Sequence, residues 1–322
     1  MSPSINNCDL GDADLEDRPE LNKMRCSICE DAAVARSSRS RKLLCSSHFM
    51  EAFEDQVAET LKAGRMIEDG DRIAVALSGG KDSTVLLYVL KKILAGEAVE
   101  LFAITIDEGI KGYREDTIGY ARRISEDLCV ELKMISFRDE FGSDLDRIAK
   151  GRDQAPCTFC GVLRKSALNR AARDLGATKL ATGHNLDDEA QSVMMNYLKG
   201  DIERLFRLSP RRPRPGLVPR IKPLRHIAEK EVALYGILAG VYPEAPECPY
   251  AHSSLRFEIR RMMNGLERDH PGTKGSVLRG FEKILSSAED RPAVTPLSCC
   301  RICGEPSVGD LCKACHLLGR SR

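Results

Sequence analysis

The chain has no tryptophan in 322 residues, and aromatics make up only 5% of it. That argues against an extended platform on which single-stranded bases would stack. No stretch approaches eighteen consecutive apolar residues, so nothing reads as a membrane-spanning helix. Neither sign of charge dominates: 49 Lys and Arg stand against 48 Asp and Glu, a net charge of +1. A polyelectrolyte-like chain is therefore excluded, and any nucleic-acid contact must come from local patches. The Gly-x4-Gly-Lys-Ser/Thr spacing of the common nucleotide loop is missing. An apolar secretory leader is missing as well. Residues 1–22 instead carry Asp9, Asp12, Asp14, Glu16, Asp17 and Glu20, which reads as a solvated, disordered acidic tail. The expected compartment is the reducing cytoplasm.

What the chain does have is cysteine, thirteen in all. In a long chain without a leader, metal binding or catalysis is the expected use rather than disulfides. The first cluster is Cys26-x2-Cys29, then Cys45-x2-His48. Two such pairs on tight knuckles can close a tetrahedral shell around zinc, with Arg36, Arg39, Arg41 and Lys42 at a basic tip between them. The last cluster is Cys300-x2-Cys303 and Cys312-x2-Cys315, with Gly304 and Gly309 as turn formers. It reads as a four-thiolate zinc ribbon. Closed shells of this kind serve folding rather than chemistry. The neighbours Cys299 and His316 read as bystanders, as do Cys8 and Cys129.

The middle cluster differs in kind. Cys157 and Cys160 form one pair, and Cys248, in Glu247-Cys248-Pro249-Tyr250, is the third cysteine available to them. Three thiolates do not complete a zinc shell. They suit a [4Fe–4S] cluster with one iron left open, a persulfide pair in which one cysteine carries sulfur and another resolves it, or inert buried thiols.

Between about 54 and 265 the pattern alternates strand and helix. Strands are predicted over 73–77, 101–106, 130–136 and 179–182, and helices from 84, over 114–128, over 160–174 and over 189–199. Alternation of this length implies a doubly wound parallel sheet, an α/β fold. Its ligands bind beyond the carboxyl ends of the strands, at the switch point. Ser78, Asp107 and Gly183 all fall at strand ends, so they are expected to share one crevice. At the first of these ends stands Ser78-Gly79-Gly80-Lys81-Asp82-Ser83. Its glycines free backbone N–H groups to approach an anion, and the helix that follows adds its dipole. The hexapeptide resembles the PP-loop, SGGxDS, of the ATP pyrophosphatases.

Asp187 and Asp188 read either as a solvated helix start or as magnesium or ribose partners, with Asp188 the favoured functional residue. His184 reads as a turn histidine, with a catalytic role as the alternative. Arg164 and Lys165 follow Cys160 by one helical turn, so they are expected to point back toward the cysteines and the ATP phosphates. From Arg204 to Arg225 there are eight basic residues and no acidic one. Pro210, Pro213, Pro215, Gly216 and Pro219 interrupt any helix there. An extended basic segment suits phosphate-backbone tracking, and Arg256, Arg260 and Arg261 extend it. Folded RNA recognised by shape fits better than a single strand.

Taken in order, the zinc knuckle, SGGKDS, Asp107-Glu108-Gly109-Ile110-x2-Tyr113-Arg114, Cys157-x2-Cys160-Gly161, GHNLDDEA, Glu247-Cys248-Pro249-Tyr250 and the C-terminal ribbon resemble the tRNA 2-thiouridine synthetases of the TtuA/NcsA group. The stretches 108–114 and 157–164 are more similar to its wobble-uridine branch than to its T-loop branch. Arg164 stands where some relatives carry lysine. The resemblance implies adenylation of a uridine C2 oxygen and its replacement by sulfur. It implies ATP with Mg2+ held by Ala76, Ser78, Gly79, Gly80, Lys81, Asp82, Ser83, Ile106, Asp107, Arg164, Lys165, Gly183 and Asp188. It implies a [4Fe–4S] cluster on Cys157, Cys160 and Cys248, with Lys81 and Asp188 also catalytic. Two Zn2+ are implied on the terminal modules, Cys26, Cys29, Cys45, His48 and Cys300, Cys303, Cys312, Cys315. The implied partners are tRNA, a ubiquitin-like thiocarboxylated sulfur carrier or free sulfide, and a second copy of the chain. The domains expected are a tail over 1–22, a zinc finger over 23–53, a PP-loop domain over 54–270 and a helix with ribbon over 271–322. Amidation or lysidine formation uses the same loop but has no need of the three cysteines. A non-catalytic RNA-binding scaffold has no need of the complete loop motifs.

Overall fold

The computed structural model describes residues 24–208, 214–288 and 296–320. The expected acidic tail and the central part of the basic segment, 209–213, lie outside the described residues. The chain divides into two compact units, 1–55 and 56–322.

The first unit is built on a minimal hairpin. Strand β1 (Ala35–Arg36) pairs antiparallel with β2 (Leu43–Leu44). Its core is small: Ala33, Leu44, Phe49 and Phe53 are buried together with Cys26 and Cys45. So little apolar surface is marginal for an independent fold.

The second unit holds a five-stranded sheet of β3 (Arg72–Ala76), β4 (Glu100–Asp107), β5 (Leu132–Ser136), β6 (Lys179–Ala181) and β7 (Arg220–Ile221). The order is β5-β4-β3-β6-β7, with every pairing parallel. The centre is dry. Ile73, Ala74 and Val75 are fully buried, as a strand covered on both faces requires. After β3 the chain builds outward through β4 to β5, then returns to lay β6 on the other flank. The reversal opens a crevice at the carboxyl end of β3, between those of β4 and β6.

Helices Lys81–Ile93, Arg114–Asp127, Pro156–Asp174 and Leu186–Leu198 follow β3, β4, β5 and β6 respectively. Helix Pro156–Asp174 begins four residues earlier than its apolar spacing predicts. Pro156 occupies its first turn, where the missing N–H costs nothing. Strand β7 carries no strand signal in the sequence, because prolines dominate its surroundings. It is two residues long and lies at the sheet edge, where prolines are tolerated. The short helix Ile202–Phe206 also intrudes on the start of the segment expected to be extended.

The C-terminal ribbon, β8 (Ser298–Cys299) with β9 (Pro306–Ser307) and helix Lys313–Leu317, packs within this second unit. Its Cys300, Cys312, Ala314, Cys315 and Leu317 share one apolar core with Phe159, Leu163, Ala167 and Ala171 of helix Pro156–Asp174. A buried carboxylate reinforces the seam, Glu305 reaching Arg173 at 2.7 Å and Arg170 at 3.2 Å.

Candidate nucleotide and thiol site

The Ser78–Ser83 loop is held by its own hydroxyls. Ser83 Oγ accepts from the Ser78 N–H at 3.0 Å and donates to the Gly80 carbonyl at 3.0 Å. Gly79 sits at φ +81°, and a Cβ there would run into the Thr117 carbonyl. Only glycine meets both conditions. Gly183 is likewise pressed against this loop: a Cβ on it would stand 2.9 Å from the Asp82 carbonyl and the Ser83 nitrogen. Strand ends β3 and β6 therefore meet as expected. Asp107 closes the end of β4, its carboxylate accepting from Gly109 N–H at 2.9 Å.

Lys81 Nζ stands 3.0 Å from Asp82 Oδ2 and 2.6 Å from Glu229 Oε1. Burial alone would lower the Lys81 pKa, but Asp82 and Glu229 outweigh it and hold the ammonium above its ordinary range. Asn185 donates to Asp82 Oδ1 at 3.1 Å and caps helix Leu186–Leu198 in a capping box with Asp188. Burial raises the Asp188 carboxyl to about 6, Arg256 opposing and Asp82 adding to the rise. Arg256 Nη1 lies 3.4 Å from Asp188 Oδ1, and Arg260 Nη2 lies 3.0 Å from Glu229. Both arginines stand on helix Leu255–Asp269.

Asp187 and Asp188 have different fates. Asp187 is buried, paired with Lys274, and accepts from the Glu229 N–H at 2.9 Å. Of the two, Asp187 is the one held by internal contacts on both sides. His184 follows β6 and is exposed, with Nδ1 2.9 Å from the Thr182 hydroxyl. Desolvation and then Lys222, Arg256, Arg220 and Lys165 lower its pKa, which favours the neutral ring. Desolvation in the crevice, followed by Arg220, Arg204, Arg256 and Lys222, also lowers the Lys165 amine. Cations gathered this closely mark a place built for anions.

Cys157 and Cys160 lie in the first turn of helix Pro156–Asp174, three apart and hence on one face. The Cys157 thiol donates to the Tyr250 carbonyl at 3.2 Å, which brings the segment bearing Cys248 alongside. Burial raises the Cys157 thiol and pushes that of Cys160 up to about 11, and Cys248 adds to both. Thiols held protonated in this way need a cation or cluster to become ligands. Among the described residues these three do not form a group with ligand atoms within 4.8 Å of one another. Thiolates on three different irons stand farther apart than thiolates sharing one ion. Arg164 points back as expected: Nη2 donates to Cys160 Sγ at 3.1 Å while Nε stands 2.6 Å from Glu108. Its guanidinium is thus committed to the cysteine side.

The terminal cysteines do gather, Cys26, Cys29, Cys45 and His48 in one group and Cys300, Cys303, Cys312 and Cys315 in another. Bonds of about 2.3 Å to sulfur and about 2.0 Å to nitrogen imply tetrahedron edges of about 3.8 Å and about 3.5 Å. Cys29 and Cys45 sulfurs are 3.7 Å apart, and His48 Nδ1 is 3.5 Å from Cys26 and Cys29 and 3.2 Å from Cys45. Cys303 and Cys312 are separated by 3.5 Å. Both donor sets fit one tetrahedral ion.

Sequence reasoning missed Glu229, which lies 148 residues beyond Lys81 and carries no local signal. It also missed Glu305. Asn185 was legible in principle, since Asn-x-x-Asp is the spacing of a capping box.

A model of the PP-loop domain matches residues 49–239. The tRNA 2-thiolation protein NcsA of Haloferax volcanii is 36% identical over 315 residues, covering 92% of this chain and 98% of that protein. The chain belongs to the PP-loop tRNA 2-thiolation proteins. Within that family, cytoplasmic tRNA 2-thiolation protein 1 of Bos taurus is 38% identical, covering 91% of this chain and 87% of its own. Among solved structures, the U34-tRNA thiolase NcsA from Methanococcus maripaludis, with its [4Fe–4S] cluster, superposes with a TM-score of 0.80 at 37% identity. The match covers 91% of this chain and 95% of that one. This family member therefore combines the loop, the parallel sheet and the cysteine-rich modules in one chain.

Proposed function

We propose that the protein is an ATP-dependent tRNA 2-thiolation enzyme acting on the wobble uridine, in the cytoplasm and as a homodimer. The carrying observation is the joining of a complete SGGKDS loop to three cysteines in one unit, two of them opening the helix whose Arg164 contacts Cys160 and Glu108. The solved wobble-uridine thiolase at 37% identity supports the choice of substrate.

ATP would lie at the carboxyl ends of β3, β4 and β6. Ala76, Ile106 and Asp107 would line the nucleoside, and Gly183 would give room beside the loop. The amides of Gly79 and Gly80 with Lys81 would hold the pyrophosphate, Lys81 exchanging Glu229 for phosphate oxygen. Ser78, Ser83, Asp82 and Asp188 would position phosphate and Mg2+, and Lys165 would neutralise phosphate charge. The uridine C2 oxygen attacks the α-phosphorus and pyrophosphate leaves. Sulfur then displaces AMP, which carries the oxygen away. Neutral His184 can donate or accept one hydrogen bond there without adding charge.

Cys157, Cys160 and Cys248 would hold a [4Fe–4S] cluster, which when bound would supply hydrosulfide, taken directly from sulfide or from a thiocarboxylated carrier as water hydrolyses its C–S bond to a carboxylate. Arg164 would keep the Cys160 sulfur anionic through its N–H donor. The terminal groups would each hold one Zn2+. α-Labelled ATP with unmodified tRNA and added sulfide is expected to yield AMP, pyrophosphate and 2-thiouridine at position 34. ADP as product contradicts the adenylation, and full activity of an iron-free preparation given sulfide contradicts the cluster.

A further inference from the structure

Glu108 and Arg114 belong to the motif stretch after β4, yet the chemistry proposed above uses neither. Both are almost fully buried, with side-chain exposures of 3% and 4%. Burying a carboxylate and a guanidinium is costly, so a buried pair is weak evidence for stability alone. Their partners show what they connect. Arg114 Nη1 donates to the Ser78 carbonyl at 2.9 Å and to Thr117 Oγ1 at 2.8 Å, and Nη2 reaches the Ile106 carbonyl. Arg114 Nε stands 2.7 Å from Glu108 Oε2, and Glu108 Oε1 stands 2.6 Å from Arg164 Nε. Arg164 Nη2 donates to Cys160 Sγ at 3.1 Å.

We propose that Arg114, Glu108 and Arg164 form an ionic strut that couples the nucleotide loop at Ser78 to the sulfur of Cys160, with Glu108 as its positioning residue. The inference rests on the cluster reading only for the nature of the far end. Ser78 opens the loop that must close on phosphate, and its carbonyl is anchored to a guanidinium whose other contacts are buried. The links run unbroken from Ser78 to Cys160, hydrogen bonds at both ends and close ion pairs at Glu108 between them, so a shift at Ser78 has a direct path along them. It reaches Cys160 as a change in the Arg164 contact. Contiguity of this kind is the physical requirement for coupling two sites, and its strength is a measurable free energy.

The test uses the full-length, cluster-loaded protein and reads the cluster's midpoint potential. Arg164→Gln removes a cation beside Cys160, which disfavours the reduced, more negative cluster and lowers the potential. Glu108→Gln leaves the Arg164 cation uncompensated and raises it. Opposite shifts show that Glu108 and Arg164 both act on the Cys160 end, and shifts of the same sign, or none, overturn the strut there; the coupling to Ser78 itself is read with nucleotide. A non-hydrolysable ATP analogue with magnesium is expected to shift the parent's potential but neither variant's, and a shift that survives in either variant overturns the proposal. If Glu108→Gln fails to fold, Arg164→Gln decides alone, since Glu108 and Arg114 stay paired in it. An unchanged potential there overturns the strut. Absence of a [4Fe–4S] signal from the parent refutes the cluster reading instead. The coupling is then read on alkylation of Cys160 by iodoacetamide. A nucleotide effect of about fivefold or more in the parent, lost in Arg164→Gln, supports the strut. No effect in the parent, or its persistence in the variant, overturns it.

Discussion

At the scale of single residues, the site is decided by positions that tolerate one side chain. Gly79→Ala must place a Cβ at φ +81° against the Thr117 carbonyl, so the loop cannot keep its shape. ATP binding measured by calorimetry is expected to fall at least about a hundredfold, an order taken from the loss of preorganised anion donors. Lys81→Ala leaves Asp82 and Glu229 without their shared cation, and pyrophosphate release is expected to drop by about 10²–10³. Asp188 supplies a pH signature. Its pKa is raised to about 6 by burial, so the native state holds its proton more tightly than the unfolded chain, whose carboxyl titrates near about 3.9. Its contribution is therefore fully present below about pH 4 and lost as pH climbs through about 6. In metal- and nucleotide-free buffer, the thermal stability of the parent relative to Asp188→Asn should fall across that window and level off above about pH 7. A constant difference from pH 4 to 8 contradicts this. These roles were partly visible in the sequence. The hexapeptide announced the loop through its glycines and hydroxyls, whereas Glu229 could not be seen because only folding brings it to Lys81.

Among the elements, helix Pro156–Asp174 has the most demanding task. Its first turn offers Cys157 and Cys160, while its flank is covered by the ribbon through Leu317, Cys315 and the Glu305 carboxylate. Loss of the ion proposed for the ribbon should therefore loosen more than the ribbon. In Cys312→Ser, or after chelation, amide exchange within 156–174 is expected to rise at least tenfold, about the effect of 1.4 kcal/mol of lost local stability. Unchanged protection there would show that the shared core stands without the ion. Knuckle spacing reports ligands but not the surface a module packs on, so the ribbon's seat on this helix is not legible in the sequence. The buried strands were legible because both faces of a parallel sheet are covered, leaving β-branched runs in Ile73–Val75 and Ile104–Ile106. Strand β7 was not. Two residues between prolines carry no period, and their pairing with Leu180 and Ala181 is fixed by the rest of the sheet.

For the whole molecule, a net charge of +1 leaves RNA affinity to local cations. Arg204 and Arg220 lie exposed near Lys165 at the mouth of the crevice. Neutralising both should weaken tRNA binding and reduce the slope of log K against log salt by about 2, one unit for each lost phosphate contact. An unchanged slope would place the tRNA elsewhere. The core shared by helix Pro156–Asp174 and residues 300–317 also sets an order of events during synthesis on the ribosome. Two of the three central cysteines emerge early, the third about ninety residues later, and the cover over Phe159 and Leu163 later still. A nascent chain cannot seal that apolar surface until residue 317 has been translated and released from the tunnel. Interrupted products are thereby marked by an open greasy flank, a feature that chaperones and proteases read. Chains stopped at residue 297 should be cut within 156–174 by added protease, while the finished protein resists at the same sites.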